Sequence, residues 1–229
     1  MKKGGAHRDG PVIAIDGPSG VGKTTVSRLL AQRLGYRYVN TGAMYRALAL
    51  AAEEAGVDLE SAQALAGFCS ALDARYDYEK GSVILNGRDY SSRVATQHAG
   101  HLASIASSKK PVRDFLVAFQ RRLGAGGRVV MEGRDIGTVV FPEADAKFFL
   151  DASHEVRASR RRLEVQEKEG SGGDDVSRNI RERDERDAGR ALSPLKKAPD
   201  ALYVDTGELT IEGVVQRLVR ALDEKGVTV

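Results

Sequence analysis

Near the start of the chain, Gly17-Pro18-Ser19-Gly20-Val21-Gly22-Lys23-Thr24-Thr25 combines the properties that anion chemistry requires. The glycines let the backbone curl so that successive N–H groups point inward at one anion. Lys23 adds a full positive charge, and Thr24 offers a hydroxyl suited to Mg²⁺. The spacing G-x-x-x-x-G-K-[ST] carries this meaning when a strand precedes it and a helix follows. Both flanks comply. Pro11-Val-Ile-Ala-Ile-Asp16 is short, apolar and β-branched, and Val26, Leu29, Leu30 and Leu34 recur at helical spacing. The helix N-terminus contributes its own partial positive charge. The stretch reads as a phosphate loop for a nucleoside triphosphate.

Such a loop needs a scaffold, and the rest of the chain alternates strand and helix patterns. Gly35 is a helix stop, Tyr36–Val39 a second strand, and Thr41 the expected N-cap of a helix to about Ala55 with Met44 and Leu48 inward. Ser61–Leu72 is helical in pattern. From Asp73 the texture changes to short strand-like pieces, Arg75–Tyr78, Ser82–Leu85 and Arg88–Tyr90, with a hairpin signal at Asn86-Gly87. Helical pattern resumes near Ala95, and Pro111 opens a helix with Val112, Phe115, Leu116, Phe119 and Leu123 on one face. Arg128–Met131, Ala146–Leu150 and Ala201–Val204 are further strands. Ser153 caps a charged helix that Gly170–Asp175 interrupts, a second runs from Val176 to about Arg190, and Ile211, Val214, Val215, Leu218 and Leu222 line the last one. Strands alternating with helices imply a parallel sheet covered on both faces, with ligands beyond its carboxyl ends.

Composition narrows the class. With 229 residues, 41% hydrophobic and 29% charged, the chain suffices for one substantial core plus an insert. A net charge of +3 suits polyanionic small substrates. The single cysteine, Cys69, excludes an intrachain disulfide and a thiolate metal site and points to a reducing cytoplasmic setting. No apolar run approaches the ~18 residues of a membrane span. Residues 1–10 are expected to form a loose polar tail rather than a secretory signal, and residues 11–229 one domain.

Charged residues gather where strands end: Thr41 and Arg46 after the second strand, Glu132-Gly-Arg134-Asp135 after the third, Asp151 after the fourth. Arg157 and Arg161 lie at i and i+4 with Arg160 beside them, and Arg183, Asp187 and Arg190 share one helical face. Two readings of this helical pair remain open. It is either a solvated hairpin held by weak ion pairs or a mobile lid that brings arginines to a transferring phosphoryl group. A nucleic-acid-binding switch is a poorer reading, because Glu and Asp interrupt the arginines and no aromatics interleave as stacking platforms.

Five stretches carry a family resemblance, the third far more telling than the phosphate loop: Ile15–Lys23, Thr41-Gly-Ala-Met-Tyr-Arg46, Glu132-Gly-Arg-Asp-Ile-Gly-Thr-Val-Val-Phe-Pro142, Phe149-Leu-Asp-Ala-Ser153 and Arg183-Asp-Glu-Arg-Asp187. On these the chain resembles the bacterial-type cytidylate kinases, nucleoside monophosphate kinases of the P-loop class. The resemblance implies an α/β fold with a five-stranded parallel sheet of order 2-3-1-4-5 flanked by helices. It also implies a monophosphate-binding region at about 41–113 with a small antiparallel insert at about 73–95, and a helical lid at about 153–190. It implies phosphoryl transfer from ATP to CMP or dCMP, with Mg²⁺. Residues 17–25 and Arg160 would hold ATP, and Lys23, Arg134, Arg157 and Arg161 would act in catalysis. Thr41, Arg46, Arg134 and Arg190 would hold the monophosphate. Ser104, Arg113 and Asp135 would read cytosine, and Arg183 and Asp187 would hold the ribose. Thr24 stands where many monophosphate kinases have glycine, so Thr24 and Thr25 compete for the Mg²⁺ role. The expected partners are small nucleotides, with neither nucleic acid nor membrane, and the expected state is a monomer. The chemistry of base choice agrees: cytosine offers an amino donor beside two acceptors, which a carboxylate, a guanidinium and a hydroxyl complement.

Overall fold

The computed structural model describes residues 8–169 and 176–227. In chain order it holds β1 (Val12–Asp16), α1 (Lys23–Leu34), β2 (Arg37–Asn40), α2 (Thr41–Glu54), α3 (Ala62–Ser70), β3 (Ala74–Asp77), β4 (Ser82–Leu85) and β5 (Arg88–Asp89). There follow α4 (Gln97–Ala106), α5 (Lys110–Gly124), β6 (Val129–Gly133), a π-helical turn (Ile136–Val140), β7 (Ala146–Asp151), α6 (His154–Glu169), α7 (Val176–Gly189), β8 (Leu202–Asp205) and α8 (Ile211–Glu224). Two units divide the chain, one of residues up to Tyr38 and from Gly127 onward, the other Val39–Gly126.

In the first unit β1 is buried at every residue and pairs in parallel with β6 on one side and β7 on the other. A strand covered on both faces needs a continuous apolar run, which explains the unbroken Val12-Ile-Ala-Ile15. The sheet order is β2-β6-β1-β7-β8; counted among themselves in chain order, these strands run 2-3-1-4-5. Ile13 lies opposite Val130, Ile15 opposite Phe148, and Leu150 opposite Val204. Those residues form one core cluster with Val26, Leu30 and Leu34 of α1 and Val214, Val215, Leu218 and Leu222 of α8. Each large side chain buried this way contributes about 1.5–3 kcal/mol. Because the strands are parallel, Asp16, Gly133, Asp151 and Asp205 all end at one edge of the sheet.

Several local expectations need correction. Leu29, placed on the apolar stripe of α1, is 37% exposed, because the buried row is Val26, Leu30 and Leu34 and Leu29 turns to its border. Ile211, in the first turn of α8, is 47% exposed. Glu132 does not follow the third core strand but lies inside it and is buried. The cap of α2 is Asn40 rather than Thr41: the Asn40 carboxamide oxygen accepts from Ala43 N at 3.0 Å, and Thr41 becomes the first helical residue. Asparagine in an extended conformation reaches the third amide of the helix, which leaves Thr41 inside its first turn. Residues 1–7 of the tail expected at 1–10, and the break at Gly170–Asp175, lie outside the described residues. Helices α6 and α7 share a small apolar cluster of Ala158, Val165, Val176 and Ile180. No helix among the described residues is long and apolar enough to cross a membrane.

The second unit combines α2, α3, α4 and α5 with a three-stranded antiparallel sheet, β3-β4-β5. Asn86 and Gly87 form its tight turn with φ of 48° and 78°, the geometry that suits a two-residue hairpin and that asparagine and glycine tolerate. Glu54 at the end of α2 ties this sheet down: it accepts from Arg88 at 2.7 Å and Tyr90 at 2.9 Å, and also pairs with Arg93.

Candidate active site

The phosphate loop takes the form its glycines permit. Gly17 has φ of +148°, and a Cβ there would stand 2.0 Å from Leu150 O of the neighbouring strand. Gly20 has φ of +82°, and its Cβ would meet Arg157 O at 2.8 Å. Gly22, also left-handed, is the N-cap of α1, so the loop delivers its amides directly to a helix N-terminus. Lys23 opens that helix, is 7% exposed, and donates through Nζ to Pro18 O at 2.5 Å. Burial is the largest influence lowering its pKa well below the ordinary lysine value; Arg134 and Arg183 push the same way, against Glu132 and Asp16. Mutually repelling cations held near this glycine loop and helix N-terminus describe a seat for a polyanion.

The same unit assembles an arginine cluster around one carboxylate. Asp187 of α7 is 4% exposed; Arg134 Nε donates to it at 2.9 Å, with Arg190 at 3.6 Å and Arg183 at 4.0 Å. Burial works against ionisation of Asp187, but the three arginines and the Arg134 hydrogen bond prevail and hold its carboxyl below the ordinary range. Three guanidinium groups gather about one buried carboxylate. Four of the residues that the resemblance implied, Arg134, Arg183, Asp187 and Arg190, thus occur together.

The arginines of α6 separate into two kinds. Arg157, grouped with Arg161 by its helical spacing, is buried at 8% exposure. It donates to Ala152 O at 3.1 Å and to Ser19 O of the phosphate loop at 3.3 Å, and pairs with Asp184. Arg160 donates to Thr206 Oγ1 at 3.0 Å and Thr206 O at 2.6 Å. Thr206 is buried, with its hydroxyl 3.2 Å from Val21 O of the loop. Arg161 pairs along its own helix with Glu164 at 2.8 Å and touches no loop atom among these contacts. Thr24 and Thr25 are both exposed in the first turn of α1.

Sequence reasoning missed Thr206, Asp184 and Asp16. Thr206 follows β8 directly, so the rule that selected Asp151 by its strand end applied to it as well. Asp184 lies within the Arg183–Asp187 stretch but had no role assigned to it. Asp16, the last residue of β1, accepts hydrogen bonds from Ile136 N and Gly137 N.

In the second unit, Thr41 is buried in the first turn of α2. The Arg46 guanidinium folds back over that turn, its Nη1 3.2 Å from where a Gly42 Cβ would stand. Arg113 of α5 is 4% exposed, lies 5.7 Å over the Tyr45 ring, and donates to Ser107 O at 3.4 Å. Ser104 of α4 is buried, and its hydroxyl has no hydrogen-bond partner among the described residues. A buried orphan hydroxyl is costly unless a ligand engages it.

Comparisons with known proteins bear on the chain as a whole. The family model described as cytidylate kinase matches residues 13–224. A cytidylate kinase of Geobacter sp. (strain M21) is 45% identical over 222 residues, covering 96% of this chain and 95% of that protein. One from Citrifermentans bemidjiense is 44% identical over 222 residues, with the same coverage of 96% and 95%. Among solved structures, an uncharacterized protein from Eubacterium ventriosum superposes with a TM-score of 0.53 at 13% identity, covering 93% of this chain and 98% of that one. That likeness bears on the fold alone. The match of the family model to residues 13–224, with 44–45% identity to cytidylate kinases over nearly the whole length, assigns this chain to the cytidylate kinase family.

Proposed function

We propose that the chain is an ATP-dependent kinase that transfers the γ-phosphoryl group to CMP or dCMP, giving ADP and CDP or dCDP. The observation that carries this reading is the concentration of cations in the first unit: buried Lys23 at the loop, with Arg134, Arg183 and Arg190 gathered about Asp187. Such a concentration suits phosphates on donor and acceptor together.

In this reading the loop amides of residues 17–25 and Lys23 hold the triphosphate, and Arg160 supports the loop through Thr206. Thr41, Arg46, Arg134 and Arg190 hold the acceptor phosphate, and Arg183 with Asp187 the ribose. Asp135 accepts from the cytosine amino group while Arg113 and Ser104 serve its acceptors. The acceptor phosphate is already an anion, so no strong general base is assigned. Catalysis is positioning plus stabilisation of the charge that spreads over the transferring group, by Lys23, Arg134, Arg157 and Arg161. Among the described residues no group of three or more His, Cys, Asp or Glu side chains forms a metal cage. Exposed Thr24 or Thr25 would offer its hydroxyl to a Mg²⁺ arriving with the nucleotide, and the ion would neutralise developing charge.

Residues 11–229 act as one kinase domain in this view, as a cytoplasmic monomer working on free nucleotides rather than nucleic acid. The test is ADP release across CMP, dCMP, UMP, AMP and GMP. CMP and dCMP should lead the panel. Equal or better turnover with UMP or a purine monophosphate would refute the assignment of acceptor.

A further inference from the structure

Asp16 stands outside every role assigned so far, yet the structure invests heavily in it. It is the last residue of β1, directly before Gly17, and is 4% exposed. Its two oxygens accept from consecutive backbone amides, Oδ1 from Ile136 N and Oδ2 from Gly137 N, each at 2.8 Å. Those amides open the π-helical turn that follows Arg134 and Asp135. Helix openings are ordinarily capped by the side chain of the residue just before them, here Asp135. Asp135 makes no such cap bond, and Asp16 performs it from another strand.

The turn is braced at its far end as well. Buried Lys147 of β7 donates to Pro142 O at 2.5 Å and to Asp200 at 3.0 Å. Gly137 is pressed against both braces: a Cβ there would lie 3.1 Å from Lys147 Cδ and 3.4 Å from Asp16 Oδ2. Burial pushes the Asp16 carboxyl up to about 6 despite the two amide bonds and Lys23, which lower it, with Asp135 adding to the rise. A carboxylate kept at that cost does something an apolar side chain would not.

We propose that Asp16 is a positioning residue for acceptor recognition: it pins the Ile136–Gly137 backbone and thereby sets how Arg134 and Asp135 present their side chains, a role that rests on reading Asp135 as the cytosine contact. The residue that leads into the phosphate loop also holds the base-reading turn, so one side chain registers the two against each other.

The test uses Asp16→Asn and, in case that variant does not fold, Gly137→Ala. The asparagine keeps the shape but turns an amide N–H₂ toward a backbone N–H. The added methyl instead presses the clamp apart with the carboxylate retained. Steady-state kinetics with ATP, CMP and UMP are read beside amide hydrogen exchange of the nucleotide-free protein. Exchange at Ile136 and Gly137 should quicken. KM for CMP should rise and the CMP/UMP ratio of kcat/KM should fall by about tenfold for Asp16→Asn, the scale of a lost charge-assisted hydrogen bond, and by less for Gly137→Ala. KM for ATP should stay within about threefold, since the loop amides and Lys23 remain. Quickened exchange with unchanged CMP kinetics overturns the proposal, as does an equal rise in KM for both substrates, which marks general loosening. A wild type that does not prefer CMP over UMP refutes the proposed function itself, and the role of Asp16 with it; that result is visible before any variant is measured.

Discussion

Replacing Asp187 with asparagine removes one negative charge and almost no volume from the centre of the arginine cluster. Arg134 and Arg190 approach it at 2.9 and 3.6 Å with side chains 17% and 8% exposed, so they remain largely shielded from water when their counter-charge is gone. Arg183, at 4.0 Å and 25% exposed, is better screened and adds less. Breaking a buried pair from one side costs about 3–5 kcal/mol, and the asparagine oxygen still accepts from Arg134, which favours the lower end. For a chain of this length about 3 kcal/mol corresponds to a Tm lower by roughly 6–12 °C. The assay is thermal unfolding of wild type and Asp187→Asn, each with and without millimolar inorganic phosphate. Phosphate should raise the Tm of the variant more than that of the wild type, because the anion supplies the charge that Asp187 no longer does. The pH dependence has a definite sign. A carboxyl held below its ordinary range contributes stability at neutral pH and loses it as pH falls through its depressed folded value, so the gap between the proteins should narrow in acid. A variant within about 2 °C of wild type at neutral pH, or an identical response to phosphate, would show that Asp187 is not what neutralises the cluster.

Three shorter predictions accompany it. Lys23→Met keeps length and burial but removes the charge at the loop, and should lower kcat by on the order of 10²-fold or more; near-normal turnover in the folded variant contradicts the role given to the loop. Asp135→Ala should collapse the CMP/UMP ratio of kcat/KM by roughly ten- to hundredfold, because it removes both the attraction for the cytosine amino group and the repulsion of uracil O4. An equal fall with both nucleotides means that Asp135 shapes the site without reading the base. Gly17→Ala places a methyl 2.0 Å from Leu150 O, a backbone atom that cannot step aside, so ATP-dependent activity should be lost while circular dichroism keeps its α/β signature. Retained ATP affinity in that variant is incompatible with the loop geometry.

The phosphate loop, the helix it opens and the Asn86-Gly87 hairpin were legible in the chain because each is specified within a few residues: glycines where φ is positive, a lysine at a helix start, a turn between two short strands. The family motifs likewise marked Arg134, Asp135, Arg183 and Asp187 as site residues. Their pairings were not legible. Asp16 meets Ile136 and Gly137 across 120 and 121 residues, and Thr206 reaches Val21 across 185, contacts that exist only because β1 lies between β6 and β7, with β8 beyond β7. Helical spacing only grouped Arg157 with Arg161, whereas Ser19 O, Ala152 O and Asp184 draw Arg157 inward. Periodicity reports which face of a helix is apolar; it carries no information about which carbonyls another segment leaves at its polar end. Strand adjacency supplies that, and it is settled by the packing of the whole sheet.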